Sequence, residues 1–367
     1  MDIYKTFIRR MLFLCDPEWI HHTTIQAGRV VGKLGWLTDG FDAVYRVRDQ
    51  RLETAVCGLR FENPIGLAAG YDKSGEAIAF LSALGFGHVE MGSVSADVSL
   101  GNLKPRLFRL PQDEAVVVHY GLQNDGAEVV AKRLAGMVRR VPLGINIVKT
   151  NRGMDALADC EADILDDYVR SIRVLKDCGD YLTLNLSCPN TEMGRNFFAE
   201  KDHVVRFLTV LSDVAIRCPV FLKVSPLGGI RAIEDLLAVV DGFDFVSGFM
   251  FNLAPGKSVV LKTSAKVWEK MPGAVAGRPV AGMLNGCIRE LFRRMDQKRY
   301  RIIGTGGVFT AEDAYEKIRL GASLVQILTG LIYEGPAVVR RINSGLCRLL
   351  KRDGFEHISD AVGSGSR

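Results

Sequence analysis

Short apolar runs, each ending in a small or polar residue, recur along the chain. Eight of them are found, at residues 64–70, 88–94, 142–148, 181–187, 219–225, 245–252, 301–307 and 324–330. Near-continuous apolar runs of this length predict strands that are buried on both faces, as in a parallel sheet. Amphipathic helical stretches lie between most of them, for example at residues 163–179 and 202–218. This alternation predicts an α/β fold, a (β/α)8 TIM barrel, with a doubly wound sheet as the alternative.

Two stretches interrupt the alternation of strands and helices. Residues 95–122 contain the segments KPRLFRL and EAVVVHYG, which predict a small β excursion. Residues 253–282 are rich in glycine and proline, and this composition predicts a long loop. Both stretches follow strand ends, so we expect both to lie over the carboxyl-terminal face of the barrel, where active sites of this fold collect.

Residues 1–50 precede the first barrel strand and are predicted to be a helical extension, and residues 51–367 are predicted to be the barrel. The apolar residues of the extension recur on one side of a helix: Ile3, Phe7, Met11 and Leu14. This stripe either packs on the barrel or dips into a membrane surface. No apolar run reaches the roughly 18 residues of a spanning helix, and none suits a signal peptide. We therefore expect peripheral association with the cytoplasmic side of a membrane, or otherwise a cytoplasmic protein.

The composition argues against several classes of function. The chain has 367 residues, of which 48% are hydrophobic and 24% charged, as in ordinary globular proteins. The net charge of +5 is small and dispersed, so no nucleic-acid partner is expected. Eight cysteines occur without a C-x-x-C pair, which argues against a metal site and for a reducing compartment.

Residues at the predicted strand ends suit a flat ligand that carries a phosphate. Small residues and asparagines dominate these ends, and they offer close approach to the backbone together with donors and acceptors. Lys223 ends the strand FLKVS, where a buried ammonium group needs an anion or an electron-rich partner. The segment GTGGVFTAEDA and the Thr329–Gly330 pair follow the last two strands, where barrels bind phosphate. These residues predict a phosphate-bearing cofactor.

Four segments resemble the dihydroorotate dehydrogenases: NPIGLAAGYDKSGE, NLSCPNT, IIGTGGV and GASLVQI. The early DPEWIHHTTIQ and the late RDGFEHISDAVG are similar to the membrane-associated class, whose N-terminal helices form a quinone tunnel. The likeness runs over nearly the whole chain, and it implies an FMN-binding barrel, a small-molecule substrate and a quinone as acceptor. The flavin site implied in this way, completed by the second glycine run, comprises Ala68, Ala69, Gly70, Ser93, Asn146, Lys223, Gly277, Gly306, Gly307, Thr329 and Gly330.

The resemblance also implies which residues hold the substrate. The polar ones are Lys73 for the substrate carboxylate and Asn185, Asn190 and Asn252 for the pyrimidine ring. Two positions differ from the family pattern: Val118 stands where a substrate-binding asparagine is usual, and Leu253 where a threonine is usual. A site loses discrimination when a polar partner is removed. These two changes therefore bear on the substrate and leave the flavin residues intact.

Cys188, in the segment NLSCPNTEMG, has two interpretations, an inert loop thiol or a catalytic base. Quinone-using members usually carry serine at this position, and the soluble class carries cysteine. In the family this residue removes a proton from the substrate carbon beside the carbon that gives hydride to the flavin. A thiol has an unperturbed pKa of about 8.5 and is a better base near neutral pH than a serine hydroxyl. We therefore predict that Cys188 is the base and that the other cysteines are ordinary core or surface residues.

Three functions remain open from the sequence. The leading one is oxidation of dihydroorotate to orotate in pyrimidine biosynthesis, with FMN as cofactor and a quinone as acceptor. The second keeps flavin and hydride transfer but acts on another cyclic amide or enone, which Val118 and Leu253 favour. The third is a flavin-binding protein without turnover, and the retained Lys73 and Cys188 weigh against it.

Overall fold

The eight apolar runs all contain strands, and these strands close into one parallel barrel. The structure, a computed structural model, describes residues 2–153, 159–187 and 197–366. In chain order its strands are β1 (Thr54–Val56), β2 (Leu59–Phe61), β3 (Ile65–Leu67), β4 (His88–Val94), β5 (Leu107–Leu110), β6 (Ala115–Val118), β7 (Leu143–Ile147), β8 (Tyr181–Asn185), β9 (Val220–Val224), β10 (Val246–Phe251), β11 (Ala274–Gly277), β12 (Arg301–Gly304) and β13 (Leu324–Ile327). The barrel order is β3-β4-β7-β8-β9-β10-β12-β13, and β13 pairs with β3. The predicted (β/α)8 barrel is confirmed.

Helices surround the barrel and precede it. They are α1 (Arg9–Leu14), α2 (Pro17–Gly32), α3 (Gly35–Tyr45), α4 (Ile78–Ser82), α5 (Ala127–Leu134), α6 (Glu161–Leu175), α7 (Lys201–Ser212), α8 (Gly229–Val240), α9 (Ala265–Trp268), α10 (Ala281–Arg294), α11 (Ala311–Leu320), α12 (Thr329–Glu334) and α13 (Val338–Asp353). Each longer barrel helix buries an apolar stripe against the strands, as Val204, Phe207 and Leu211 do in α7. The amphipathic patterns therefore mark helices that cover the outside of the barrel.

The amino-terminal end of the barrel is closed by the antiparallel hairpin of β1 and β2. Phe61 of this hairpin meets the ring of His88 at 5.5 Å between centroids, edge to face. A small buried cluster including Val56, Tyr181 and Met250 packs around it. Because this end is filled by side chains, a ligand can reach the barrel interior from the carboxyl-terminal end.

A three-stranded antiparallel sheet, in the order β11-β6-β5, lies over the barrel. The β excursion predicted for residues 95–122 is confirmed by β5 and β6. The prediction of a long loop over residues 253–282 is wrong in part, because Ala274–Gly277 forms β11 and pairs with β6. A four-residue strand whose partner lies far away in the sequence leaves no local periodicity to detect.

The N-terminal helices cap this sheet and the mouth of the barrel. Helix α2 begins where the sequence DPEW supplies an N-cap, since the Asp16 carboxylate accepts from the Trp19 N–H at 2.8 Å and Pro17 occupies the first turn. Its Gly28 lies so close to α4 that an added Cβ would approach Phe80 to 2.8 Å. The start of the chain is tied to the barrel by the Tyr4 hydroxyl, which donates to the Ile332 carbonyl at 2.7 Å.

The apolar stripe of the extension does not pack on the barrel. Ile3, Phe7, Met11 and Leu14 expose 68%, 59%, 71% and 89% of their surface. Of the two interpretations of this stripe, packing on the barrel is therefore excluded. In the described ranges, no helix has both the length and the apolar character needed to cross a membrane.

Candidate active site

A cavity of about 420 Å³ opens at the carboxyl ends of the barrel strands. Its floor comes from the barrel, and its walls come from the small sheet and from the N-terminal helices beside it. Most predicted site residues line it: Ala68, Ala69, Gly70, Lys73, Ser93, Val118, Asn185, Lys223, Asn252, Leu253, Gly277, Gly306, Gly307, Thr329 and Gly330. Cys188 and Asn190 lie outside the described residues, and Asn146 is fully buried next to the cavity wall. The structure therefore brings the predicted residues that line the cavity together at one place, and the roles predicted for them stay predictions.

The floor of the cavity carries hydrogen-bonded asparagines from different strands. Asn252 follows β10, and its Nδ2 donates to Asn185 Oδ1 at 2.9 Å and to the Ser187 carbonyl at 3.0 Å. Lys223 of β9 pairs in register with Asn185 of β8, and only 8% of its surface is exposed. These groups hold each other in place, so the floor presents a fixed set of donors and acceptors.

The glycine runs after the last two barrel strands let two loops approach each other closely. Gly306 and Gly307 have φ values of +83° and +73°, which side chains rarely adopt. A Cβ on Gly330 would lie 2.2 Å from the Val308 carbonyl oxygen, so only glycine allows this contact. The glycines at these positions are thus required by the close contact of the two loops at the edge of the cavity.

Lys73 is held by two aromatic side chains that the sequence analysis did not single out as site residues. Its Nζ lies 3.5 Å from His21 Nδ1 and 3.9 Å from the centre of the Tyr120 ring. The other ring nitrogen of His21 lies 2.6 Å from the Tyr71 carbonyl oxygen. Because a carbonyl only accepts, this Nε2 carries the proton, and Nδ1 of the neutral ring accepts from Lys73 and from the Tyr120 hydroxyl at 3.2 Å.

Burial controls the charge state of this cluster. It lowers the pKa of Lys73 to about 7, and the nearby Asp72 and Glu18 carboxylates only partly oppose the effect. Burial, together with the Lys73 charge, lowers the pKa of His21 to about 3, so the imidazole stays neutral. Lys73 is therefore a cation that an anionic ligand can readily stabilise near neutral pH.

The outer part of the cavity is mainly apolar. Leu12, Ile20 and Leu107 belong to its lining, with a few polar groups among them. Arg109 from the small sheet donates to the carbonyls of Leu12 and Cys15, at 3.2 and 2.8 Å. This guanidinium thus ties the N-terminal helices to β5 beside the outer cavity.

More than half of the lining residues were not among the predicted site residues, and these include His21, Arg109, Tyr120, Gln326 and Leu328. A signal was present for α2, where Pro17, Ile20, His21 and Thr24 follow the spacing of one helical face. All four line the cavity. No comparable pattern marks Gln326, which sits inside an apolar strand.

The fold and the site together define an enzyme-type (β/α)8 barrel with its ligand cavity at the carboxyl-terminal face. A family model described as dihydroorotate dehydrogenase matches residues 51–350. The chain is 42% identical to a dihydroorotate dehydrogenase (quinone) of Natronomonas pharaonis, over 99% of each chain. It is 36% identical to one of Trichormus variabilis, again over 99% of each chain.

Solved structures agree with the sequence comparisons. The crystal structure of DHODH from Eimeria tenella in complex with ferulenol matches with a TM-score of 0.80 and 28% identity, covering 98% of this chain and 99% of that chain. The chain belongs to the dihydroorotate dehydrogenase family, which consists of FMN-dependent oxidoreductases. The resemblance predicted from the motifs is confirmed.

Proposed function

We propose that this enzyme oxidises dihydroorotate to orotate, with FMN at the barrel mouth and a quinone as the final electron acceptor. The observation that carries the proposal is one continuous cavity, which joins the glycine-rich strand ends, Lys73 and helix α2. Relatives that align with the chain from end to end are named dihydroorotate dehydrogenase (quinone). Their names support both the substrate and the acceptor.

The residues present fit FMN. Within the described ranges, no hydrogen-bond partner is recorded for the backbone N–H groups of Gly306 and Gly307, and free N–H groups of this kind suit a phosphate. The buried Lys223 suits a ring edge that gains negative charge on reduction. Ala68 and Ala69 leave room for a flat ring against the backbone. When bound, FMN would accept the hydride and carry the two electrons onward.

The chain's own residues would bind the substrate and move the proton. Oxidation removes a proton and a hydride from adjacent carbons, and a C=C bond forms between them. The Cys188 thiolate would take the proton, and the hydride would leave from the other carbon. The Lys73 ammonium would bind the substrate carboxylate, and Asn185, Asn190 and Asn252 would hold the amide groups of the ring.

A second candidate function is favoured by two apolar residues in the cavity lining. Val118 and Leu253 both belong to the lining, and each replaces a polar residue of the family pattern. The Leu253 backbone N–H still donates to Asn252 Oδ1 at 2.9 Å. A substrate with fewer polar groups, another cyclic amide or enone, would meet these side chains at lower cost.

For the N-terminal residues we propose a role in acceptor access. Residues 1–50 would form a peripheral element on the cytoplasmic side of a membrane, and residues 51–367 the FMN-binding barrel. The exposed apolar stripe supports the membrane contact, since such faces are rarely left to water. The apolar outer cavity beside α2 supports entry of a quinone from that side.

Anaerobic mixing of the purified protein with dihydroorotate tests the proposal. Rapid bleaching of the flavin absorbance, reversed by a soluble quinone, is the expected result. Bleaching with other cyclic amides or enones but not with dihydroorotate would establish the second candidate instead. A colourless protein that takes up no FMN on reconstitution would overturn the assignment of FMN as the cofactor.

A further inference from the structure

A carboxylate is fully buried inside the barrel, below the floor of the cavity. Glu90 lies on β4, and none of its surface is exposed. Barrel interiors are normally filled by bulky apolar side chains, and a buried carboxylate is costly unless it is fully hydrogen-bonded. No ion pair of Glu90 is recorded in the part of the chain that the structure describes. Glu90 therefore needs hydrogen-bond donors, and its neighbours supply them.

Four donors converge on Glu90 from three other strands. Asn146 Nδ2 donates to Oε1 at 2.8 Å. Gln326 Nε2, Thr183 Oγ1 and Tyr181 Oη donate to Oε2 at 2.9, 3.1 and 3.3 Å. Burial, together with the adjacent Glu90, raises the pKa of Tyr181, so this hydroxyl keeps the proton that it donates. All four of these neighbours donate, so Glu90 acts only as an acceptor here.

This carboxylate sets the direction of a hydrogen-bond chain that reaches the cavity. Because Glu90 only accepts, Asn146 must turn its Nδ2 toward it and leave Oδ1 for the Ser93 hydroxyl. The Ser93 oxygen then accepts from Asn185 Nδ2 at 3.3 Å. Asn185 Oδ1 in turn accepts from Asn252 Nδ2 at 2.9 Å. Each amide in this series of hydrogen bonds is therefore oriented, through its neighbours, by Glu90.

The two ends of this chain lie in different environments. Ser93, Asn185 and Asn252 line the cavity, whereas Glu90 and Asn146 are buried away from it. If an asparagine amide rotated by about 180° and exchanged the positions of its oxygen and nitrogen, it would offer an acceptor where a ligand requires a donor. Glu90 can therefore control the pattern that a ligand meets without touching the ligand.

We propose that Glu90 is a positioning residue, which orients the amides of Asn146, Asn185 and Asn252 for flavin and substrate from below the cavity floor. This inference rests on the proposed function for its substrate. Gln326 is oriented by the same group, because its Nε2 is used on Glu90 and its buried Oε1 has no recorded partner within the described residues.

Two substitutions separate orientation from packing. Glu90→Gln keeps the shape of the side chain but adds an NH₂ donor. Asn146 could then turn either Nδ2 or Oδ1 toward it, so the hydrogen bonds could run in either direction. Glu90→Asp changes the size but keeps an acceptor-only carboxylate. If Glu90 orients the amides, the dissociation constant of orotate rises about ten- to a hundredfold in Glu90→Gln and less in Glu90→Asp. A packing role predicts the opposite order, and that order would overturn the inference.

Thr183→Val is the matched control, because it removes one donor to Oε2 and leaves the link from Asn146 intact. It is expected to change the orotate dissociation constant by no more than about threefold. If Thr183→Val weakened orotate binding as much as Glu90→Gln, the loss of any hydrogen bond in this cluster would be enough to cause the effect. The carboxylate would then have no special role.

A double-mutant cycle with Ser93→Ala keeps the test decisive if Glu90→Asp does not fold. Ser93→Ala cuts the chain between Asn146 and Asn185, so Glu90→Gln should cause little further loss of orotate affinity in that background. Full additivity would contradict the inference. The FMN dissociation constant of the apoprotein, which needs no substrate, is expected to follow the same non-additive pattern. Failure of the proposed function is seen separately, as a wild-type flavin that dihydroorotate does not reduce.

Discussion

The two ends of the cavity are built differently. The floor is polar, and its asparagines come from separate barrel strands and are bonded to each other and to buried groups. The outer end is mostly apolar, and the main polar group there, Arg109, is committed to backbone carbonyls. A fixed polar floor suits a reaction that needs exact placement of a ring, and an apolar entrance suits an apolar acceptor.

One cluster joins the two ends. His21 belongs to α2 in the N-terminal region, and it contacts Lys73, which follows the first barrel strand. The extension therefore contacts the group around Lys73 as well as forming part of the apolar outer end. Variants that act on one end alone should separate the two half-reactions.

The largest effect is expected from Cys188→Ala, which removes the proposed base. Loss of a general base slows the reaction by about a hundred- to ten-thousandfold, so flavin reduction by dihydroorotate should fall by that factor while FMN stays bound. Cys188→Ser should keep some activity at higher pH. Stopped-flow absorbance measures the rate, and the exposed Cys160→Ser is the control. A wild-type rate in Cys188→Ala would show that the thiol is structural.

Lys73→Ala should weaken binding of an anionic substrate by about ten- to a hundredfold, because a charge-assisted contact is worth roughly 1.5–3 kcal/mol. Flavin content and reoxidation by quinone should change much less. Titration with orotate measures the loss, with the exposed Lys132→Ala as control. Unchanged affinity would mean that the substrate places no carboxylate at Lys73.

The pH dependence of binding should report the same lysine. Since the pKa of Lys73 is lowered to about 7, the free enzyme loses this charge as the pH rises through that value. Affinity for orotate should therefore be level below about pH 7 and fall by up to about tenfold per unit above it. Lys73→Arg keeps its charge and should abolish the alkaline fall. A fall that persists in that variant would implicate another group.

A smaller effect is expected at the outer end from Ile20→Ala. Removing part of a partly buried apolar side chain costs about 0.8 kcal/mol per CH₂, so the KM for quinone should rise about three- to tenfold. Flavin reduction by substrate should stay close to wild type. Val30→Ala, on an exposed part of α2, is the control. Equal losses in both half-reactions would contradict a division between the two ends.

The smallest effect concerns the membrane surface. Leu14→Asn removes one exposed apolar side chain from the stripe and should lower the fraction bound to anionic vesicles by about twofold. Val260→Asn, equally exposed but outside the extension, should have no effect. Sedimentation with vesicles at low and high salt measures both. Binding that is unchanged in Leu14→Asn would place the contact elsewhere.

Local pattern was sufficient for the barrel and for the strand-end residues that line its mouth. The apolar runs carry the strand period within a few residues, and the carboxyl ends of parallel strands must meet at one face. Ser93, Asn185 and Gly306 could therefore be assigned to one site before any contact was known. The family motifs added Lys73, whose position after the first strand says little by itself.

Tertiary structure alone decided the contacts between distant segments. The partner of β11 is β6, the partners of Lys73 are His21 and Tyr120, and the partners of Glu90 come from three other strands. None of these pairs has a periodic signature, because each depends on how the barrel closes and where the extension folds back. Burial then sets the charge of Lys73, and burial is a property of the packed chain, not of the residue.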